Sequence, residues 1–376
     1  MKRTISIILT IFLLLVAFVP VSADDTSQKE LLALSERLAQ EYIEVVDSSF
    51  IITGETPLLD GGNEIKGYLF HTSNKNNING YVTVFAYDGI LRVTESSFET
   101  DVLLGIKNDV YYNSIFDYYV KEGESLVNAQ TKEIIGLSEL RSFNDVSLDG
   151  TSTQSFRPVH SNDSYSINTT NSYNGAYMLS SSVTAISQFD ASSYPKARCM
   201  QTSAAMLIQY YQEHKTGYSS IASHSGGELI DDLCQYIPLT NTSYTTLGSL
   251  KSGLGEYISD NGFSSSIFSN SCDLDYDTLP EDFTERMADE LTNDRPMIMI
   301  IGSDAVYISG DRTIGEESNS MHALLVRGVI FYSFGTYIVC VDPWDAASKQ
   351  ILWDPYNSES RDHFAVYSVV RVSIHR

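Results

Sequence analysis

The order in which helical and strand patterns follow one another from residue 199 onward restricts the fold of this chain most. Segments with apolar residues at helical spacing come first, namely CMQTSAAMLIQYYQEH, GELIDDLCQYI, TLGSLKSGLGEYISDNG and LPEDFTERMADELTNDR. Apolar strand-like runs follow, namely PMIMIIGS, HALLVRGVIFY, TYIVCVDPW and HFAVYSVVRVSI. Helices followed by strands within one region of domain size predict an α+β fold.

A smaller unit, 24–145, comes before this region and also combines helix and strand patterns. Ser27 and Glu30 have the spacing of a capping box, and apolar residues at helical spacing continue to about Val46. The strand-like runs KGYLFHT, YVTVFAY and ILRVTE are separated by Asn79-Gly80 and Asp88-Gly89, which are hairpin signals. VYYNSIFDYYV adds one more aromatic-rich strand. We therefore expect one helix packed on an antiparallel meander.

The first 23 residues have the pattern of a secretory signal peptide. Lys2 and Arg3 precede an apolar run, and Val21-Ser22-Ala23 offers small residues for cleavage. An uncleaved anchor helix is the alternative, but the apolar run is short, and no later segment approaches the ~20 apolar residues of a membrane span. We expect a secreted protein that has no membrane partner after cleavage. The stretch 146–177 is rich in Ser, Thr and Asn and predicts a linker to the second domain, 178–376.

The charge balance and the cysteine count exclude several classes of function. The chain has 24 Lys+Arg against 48 Asp+Glu, which disfavours nucleic acid as a partner, since phosphates require basic surface. Four cysteines are too few for a disulfide scaffold, and there is no CxxC or HExxH, so we expect no metal and no cofactor. If Cys199 is a free nucleophile, at most one bridge can form, with Cys234–Cys272 as the candidate pair and Cys340 as a buried apolar residue.

Three chemically reactive residues each lie at the end of a different predicted element. Cys199 begins a helix, where the partial positive charge and free N–H groups favour a thiolate, and Arg198 adds a cation beside it. His322 begins an apolar strand, and Asp342 ends the next one. An imidazole oriented by a carboxylate can take the proton from a thiol. A nucleophile followed well over a hundred residues later by its base, and then by an orienting carboxylate, is the order of papain-type chemistry. Asp345 is a competitor for the orienting role, but it lies beyond the strand end.

Gln188 is the candidate donor to an oxyanion, through its side-chain amide and together with the backbone N–H of Cys199. Gln201 is closer in sequence, but a side chain two residues into a helix points away from Cys199.

Several blocks between residues 180 and 345 resemble the papain-like cysteine peptidases: ISQFD, CMQTSAAMLIQYY, RPMIMIIGS, MHALLVRGV and YIVCVDPW. The resemblance is closest to the double-glycine (bacteriocin-processing) peptidase-like branch of secreted bacterial proteins. It implies a papain-like catalytic domain in which the family's Gln, Cys, His and Asp are Gln188, Cys199, His322 and Asp342. The family usually has Gly-Pro where this chain has Met200-Gln201. Residues 24–145 more distantly resemble the inhibitory propeptides of streptopain-like peptidases.

The leading interpretation is a secreted cysteine peptidase that acts on a peptide or protein substrate and carries an N-terminal prodomain or accessory domain. An acyl-transfer enzyme of transglutaminase or amidase type would use the same triad, because the acyl-enzyme is common to both reactions. A non-catalytic binding protein on a peptidase-like scaffold is the third possibility, since fold does not fix function.

Overall fold

The computed structural model of the chain describes residues 23–87, 90–114, 116–130, 132, 134–140, 176–191, 198–239, 245–271, 283–302, 321–332, 335–353 and 365–376. Its helices are α1 (Ala23–Val46), α2 (Cys199–His214), α3 (Gly226–Tyr236), α4 (Leu247–Asp260) and α5 (Phe283–Thr292). Its strands in the N-terminal unit are β1 (Phe50–Leu59), β2 (Ile65–Asn74), β3 (Asn79–Tyr87), β4 (Ile90–Ser97), β5 (Val110–Ser114), β6 (Asp117–Glu122), β7 (Ser125–Asn128) and β8 (Ile134–Ile135). The later strands are β9 (Tyr177–Met178), β10 (Ser264–Ser271), β11 (Met297–Gly302), β12 (Met321–Tyr332), β13 (Gly335–Asp342), β14 (Ala347–Trp353) and β15 (Ala365–His375).

The described strands form one sheet that runs through both units. Its order is β10-β15-β11-β12-β13-β14-β4-β3-β2-β1-β5-β6-β7-β8, with β9 paired to β12. Neighbouring strands are antiparallel except for β1 and β5, which are parallel. Helix α1 packs on the N-terminal strands and α2 packs on β11 and β12. The five described helices and the 15-stranded sheet confirm the predicted α+β class.

The predicted helices of the second unit have clear local causes in the structure. Helix α2 spans the predicted CMQTSAAMLIQYYQEH, and its residues from Met200 to Tyr211 are all buried. Helix α4 begins after Thr246, whose hydroxyl accepts a hydrogen bond from the Ser249 N–H at 3.0 Å. Gly262 follows the C-terminus of this helix and has φ +84°, a left-handed conformation that glycine adopts easily.

The structure corrects several predictions of local structure. Helix α1 begins at Ala23, so Ser27 lies inside the helix and does not cap it. Asn79-Gly80 already belongs to β3, and the β2–β3 turn is made two residues earlier, where Asn77 has φ 58°. VYYNSIFDYYV is a hairpin of two strands, because the chain reverses at Phe116, which has φ 62°.

The sequence patterns do not indicate strands β10 and β14, because SSSIFSNS contains few apolar residues and ASKQILW does not alternate apolar with polar residues. The predicted signal peptide lies outside the described residues except for Ala23, the first residue of α1. The predicted linker also lies outside them, apart from its last two residues, of which Tyr177 belongs to β9. Within the described part of the chain, no helix has both the length and the hydropathy needed to cross a bilayer.

The two units share a buried boundary at strands β4 and β14. Gln350 and Ile351 of β14 pair with Ser96 and Glu95 of β4. Tyr337 and Leu352 of the second unit lie in the same apolar cluster as Leu38, Tyr42 and Ile43 of α1. The Tyr337 hydroxyl donates to the Val93 carbonyl at 2.9 Å, and the Tyr42 hydroxyl donates to Gln350 Oε1 at 3.0 Å. The boundary is therefore built from core side chains and a backbone ladder.

Candidate active site

Cys199 is the first residue of α2, in the position that the sequence predicts. The residues that follow it are buried against the sheet, whereas the Cys199 side chain is partly exposed. The carbonyl of Arg198 accepts the first hydrogen bond of the helix, from the Thr202 N–H at 2.8 Å. The thiol therefore lies at a helix N-terminus, where unpaired N–H groups and the helix dipole favour negative charge.

His322 and Asp342 are brought together by the antiparallel pairing of β12 and β13. Leu325 pairs with Val341, so the beginning of β12 and the end of β13 lie side by side at the same end of the two strands. His322 Nε2 lies 2.7 Å from Asp342 Oδ1. The Asp342 side chain is fully buried and His322 is about one-fifth exposed. Asp342 therefore holds the imidazole at a site that a substrate can reach.

The thiol of Cys199 and the imidazole of His322 also interact directly. His322 has a hydrogen bond and an electrostatic attraction with the Cys199 side chain. Nε2 is bonded to Asp342, which leaves Nδ1 as the ring nitrogen available to a second partner. Thiol, imidazole and carboxylate thus form one chain of contacts, with the ring held between the thiol and the carboxylate.

The pKa values of the imidazole and the carboxylate move in opposite directions. Burial lowers the pKa of His322, but the charge of Asp342, its hydrogen bond and the contact with Cys199 outweigh burial and raise it to about 10. Burial raises the pKa of Asp342, but Lys349 and His322 outweigh burial and hold it well below its usual range. At neutral pH the pair is therefore an imidazolium beside a carboxylate.

Asp342 has a second cationic partner that sequence reasoning missed. Lys349 Nζ donates to Asp342 Oδ2 at 2.5 Å and lies 3.1 Å from Asp345 Oδ2. The Trp344 N–H donates to Asp342 Oδ1 at 2.8 Å. Asp345 therefore binds Lys349, and Asp342 is the residue that contacts the histidine. Lys349 escaped prediction because β14 itself was not recognised as a strand.

Gln188 lies in a loop beside the end of β13, since its N–H donates to the Pro343 carbonyl at 2.7 Å. Its side chain is 5% exposed, and its Oε1 accepts no hydrogen bond from the described residues. The next residue, Phe189, packs edge-on against Trp344 with ring centroids 5.0 Å apart. Phe189 is 57% exposed, so this aromatic pair forms an apolar wall at the surface beside the site.

Gln201 points away from the site, as its helical position predicts. Its side-chain amide donates to the Ile237 carbonyl and to the Thr245 hydroxyl, both at 2.8 Å. Arg198, expected to act as a cation beside the thiol, is buried and its guanidinium lies 3.5 Å from Asp231 on α3. The structure therefore gives Arg198 an ion pair with the neighbouring helix.

The other cysteines differ from Cys199 in environment. Cys340 is fully buried and its pKa is raised by burial. Cys234 is a free thiol whose pKa is raised by burial, against a lowering by Arg198. The candidate bridge Cys234–Cys272 involves Cys272, which lies outside the described residues. Within the described ranges, no group of three His, Cys, Asp or Glu side chains is placed to hold a metal ion.

Comparison with known families assigns the second unit. The family model described as Peptidase_C39 like family matches residues 180–368, half of the chain. The chain belongs to the Peptidase_C39 like family. Membership supports the papain-like cysteine peptidase superfamily suggested by the sequence blocks, and with it a cysteine peptidase activity. The matched range contains Gln188, Cys199, His322 and Asp342. A search of curated proteins found no match.

Proposed function

We propose that this member of the Peptidase_C39 like family is a secreted cysteine peptidase that hydrolyses peptide bonds with Cys199 as its nucleophile. The observation that carries the proposal is the position of His322 between two partners. It interacts with the Cys199 thiol, and its Nε2 lies 2.7 Å from Asp342 Oδ1. A helix N-terminus and an adjacent imidazolium both stabilise a thiolate, which is the reactive form of cysteine.

Each residue then has one role in the acylation step. The Cys199 thiolate attacks the scissile carbonyl carbon, and the C=O π electrons move to oxygen. The Cys199 N–H and the Gln188 side-chain amide donate to this oxyanion. His322 transfers its proton to the leaving amine as the C–N bond breaks, which leaves an acyl-enzyme and a neutral imidazole. Asp342 keeps the ring oriented throughout, because it accepts a hydrogen bond from Nε2.

Deacylation uses the same groups in reverse. The neutral His322 takes a proton from a water molecule as that water attacks the thioester. The Cys199 thiolate leaves and the carboxylic acid product is released. An amine in place of water would give acyl transfer, which defines the alternative reaction of the same site.

The proposed secretion is supported by the signal-peptide pattern of the first 23 residues. Cleavage after Ala23 would release the chain at Asp24, the second residue of α1. N-terminal sequencing of the protein recovered from the culture medium tests this part: a start at Asp24 supports export, whereas an intact Met1 in the cell fraction contradicts it.

Covalent labelling of Cys199 with iodoacetamide at pH 7 tests the chemistry. We expect rapid labelling of Cys199 in the wild-type protein and no comparably rapid labelling in Cys199→Ala. The wild-type protein should hydrolyse a peptide library, and Cys199→Ala should not. Cys234→Ala is the matched control, because Cys234 is also partly exposed but has a raised pKa, so its removal should leave the labelling at Cys199 unchanged. Product analysis with an added amine separates hydrolysis from acyl transfer. An inert Cys199 in the folded protein would favour a non-catalytic binding protein.

A further inference from the structure

Lys349 lies at the centre of a buried charge cluster directly behind the candidate active site. Its side chain is completely buried, and its ammonium group contacts Asp342 at 2.5 Å and Asp345 at 3.1 Å. A buried ammonium ion is costly unless it is fully paired. Asp342 in turn contacts His322, so Lys349 is one residue removed from the imidazole.

The N-terminal unit covers the ammonium group of Lys349. Its Nζ lies 4.4 Å from the centroid of the Phe116 ring, a cation–π distance. Phe116 belongs to the β5–β6 turn, yet it packs in the apolar core of the second unit. Its φ of 62° is unusual for a bulky residue, so surrounding contacts must hold it there.

Glu95 of β4 supplies one of those contacts. Its Oε2 accepts a hydrogen bond from the Phe116 N–H at 2.7 Å. Its Oε1 accepts a hydrogen bond from the Tyr118 hydroxyl, and Tyr81 donates to the same oxygen at 3.4 Å. Glu95 is fully buried and attracts Lys349 electrostatically. A carboxylate of the N-terminal unit thus both fixes the covering ring and contributes to the field at Lys349.

We propose that Lys349 is a positioning residue of the Cys199–His322–Asp342 site, and that the N-terminal unit, through Glu95 and Phe116, holds Lys349 in place. The inference rests on the proposed peptidase function. It makes the N-terminal unit a working part of the active site, that is, an accessory domain. A residue that lies behind Asp342 acts only through it, by fixing the charge and the orientation of its carboxylate.

The physical consequence concerns the acidity of the site. Without Lys349, the carboxylates of Asp342 and Asp345 lie together in a buried site, and one of them takes up a proton. Asp342 also loses the donor to its Oδ2 that fixes its carboxylate. A displaced or protonated Asp342 stabilises the His322 imidazolium less, and the imidazolium then stabilises the Cys199 thiolate less. The pH at which the thiolate forms therefore rises.

The test is the rate of iodoacetamide alkylation of Cys199 in the full chain, measured between pH 5 and 9 by mass spectrometry. For Lys349→Met we expect the acid limb of the profile to move up by about one pH unit, so that alkylation at pH 6 is about tenfold slower. For Phe116→Gly, which tolerates the positive φ but removes the ring, we expect a change of about threefold in the same direction.

Lys66→Met is the matched control, because Lys66 is also a buried lysine paired to a carboxylate, Glu64 at 2.7 Å, in the N-terminal unit. Its profile should equal that of the wild-type protein. A folded Lys349→Met with the wild-type profile would overturn the inference. If Lys349→Met does not fold, Phe116→Gly decides, with Asn77→Gly, another positive-φ turn residue, as its control. A wild-type Cys199 that does not react refutes the proposed function and this inference together, whereas a reactive wild-type protein with unchanged variants refutes the inference alone.

Discussion

A double-mutant cycle on Asp342 and Lys349 would measure how strongly the charge cluster stabilises the fold. The single changes are Asp342→Asn and Lys349→Met, followed by the combination of both. In the wild-type protein Asp342 accepts from His322 and Trp344 on Oδ1 and from Lys349 on Oδ2. An asparagine has one oxygen, so its amide N–H₂ must face either the imidazole or the ammonium group, both of which are donors.

The buried geometry sets the magnitude of the expected changes. Both side chains of the pair are fully buried, and removing one partner of such a pair costs about 3–5 kcal/mol, because the other charge is left uncompensated. Removing both partners costs little more than either single change, since no unpaired charge of the pair remains. We therefore expect a coupling energy of about 3 kcal/mol, near the upper end for residues in contact.

Urea unfolding followed by circular dichroism at pH 7 provides the measurement. The pair of Lys66 and Glu64 is the matched control, because it has a similar distance, 2.7 Å, but Glu64 is 64% exposed. The corresponding cycle, Lys66→Met with Glu64→Gln, should give at most about 1 kcal/mol, as expected for an exposed partner. If the Asp342 and Lys349 changes were additive within about 0.5 kcal/mol, the buried ion pair would not be a stabilising unit, and the reasoning would be refuted.

Three further predictions concern catalysis, pH and the division into units. Cys199→Ala should abolish peptidase activity without unfolding the protein. His322→Ala should lose more activity than Asp342→Asn, because nothing replaces the proton acceptor. Steady-state kinetics measures both effects, with urea unfolding as the control for folding, and a larger loss of activity in Asp342→Asn than in His322→Ala would contradict the assigned roles. Burial raises the pKa of Glu95 from 4.5 to about 7, against a lowering by Tyr118 and Lys349. As the pH rises, the unfolded chain therefore loses this proton before the folded protein does, and the free energy of unfolding falls by about 3 kcal/mol between pH 4.5 and 7. Glu95→Gln should flatten that decline in urea titrations; an unchanged slope would show that Glu95 does not cause it. Cleavage at a protease site introduced between 150 and 170 should leave one species in gel filtration, because β4 and β14 remain paired; two separated fragments would contradict it.

The second unit could be predicted well from local patterns. Helix α2 is a largely apolar segment with no internal Gly or Pro, and the structure places it from Cys199 to His214. The apolar strand runs became β11, β12, β13 and β15 because their side chains are buried on the sheet. Cys199, His322 and Asp342 could be selected because each lies where a regular element begins or ends, and such positions meet at the edges of a sheet.

Predictions that depended on turns were less accurate. The segment VYYNSIFDYYV has the composition of a single strand, yet Glu95 accepts a hydrogen bond from the Phe116 N–H and the chain reverses there. Glu95 is 21 residues away, so no local pattern could indicate that contact. The turn between β2 and β3 also differs from the prediction, since Asn77 supplies the left-handed residue and Asn79-Gly80 pairs with β2.

By itself, the sequence determined most of the helices and strands of the second unit, apart from strands such as β10 and β14, and which thiol, imidazole and carboxylate stand at the ends of its elements, because hydrophobic periodicity and element termini are local properties. Only the tertiary structure decided that Lys349 lies against Asp342 and that Glu95 and Phe116 of the other unit cover it. These positions are fixed by the pairing of β4 with β14, strands more than 250 residues apart. That pairing is selected by the burial of side chains from both units and by the cost of an unpaired buried charge, which are properties of the folded whole.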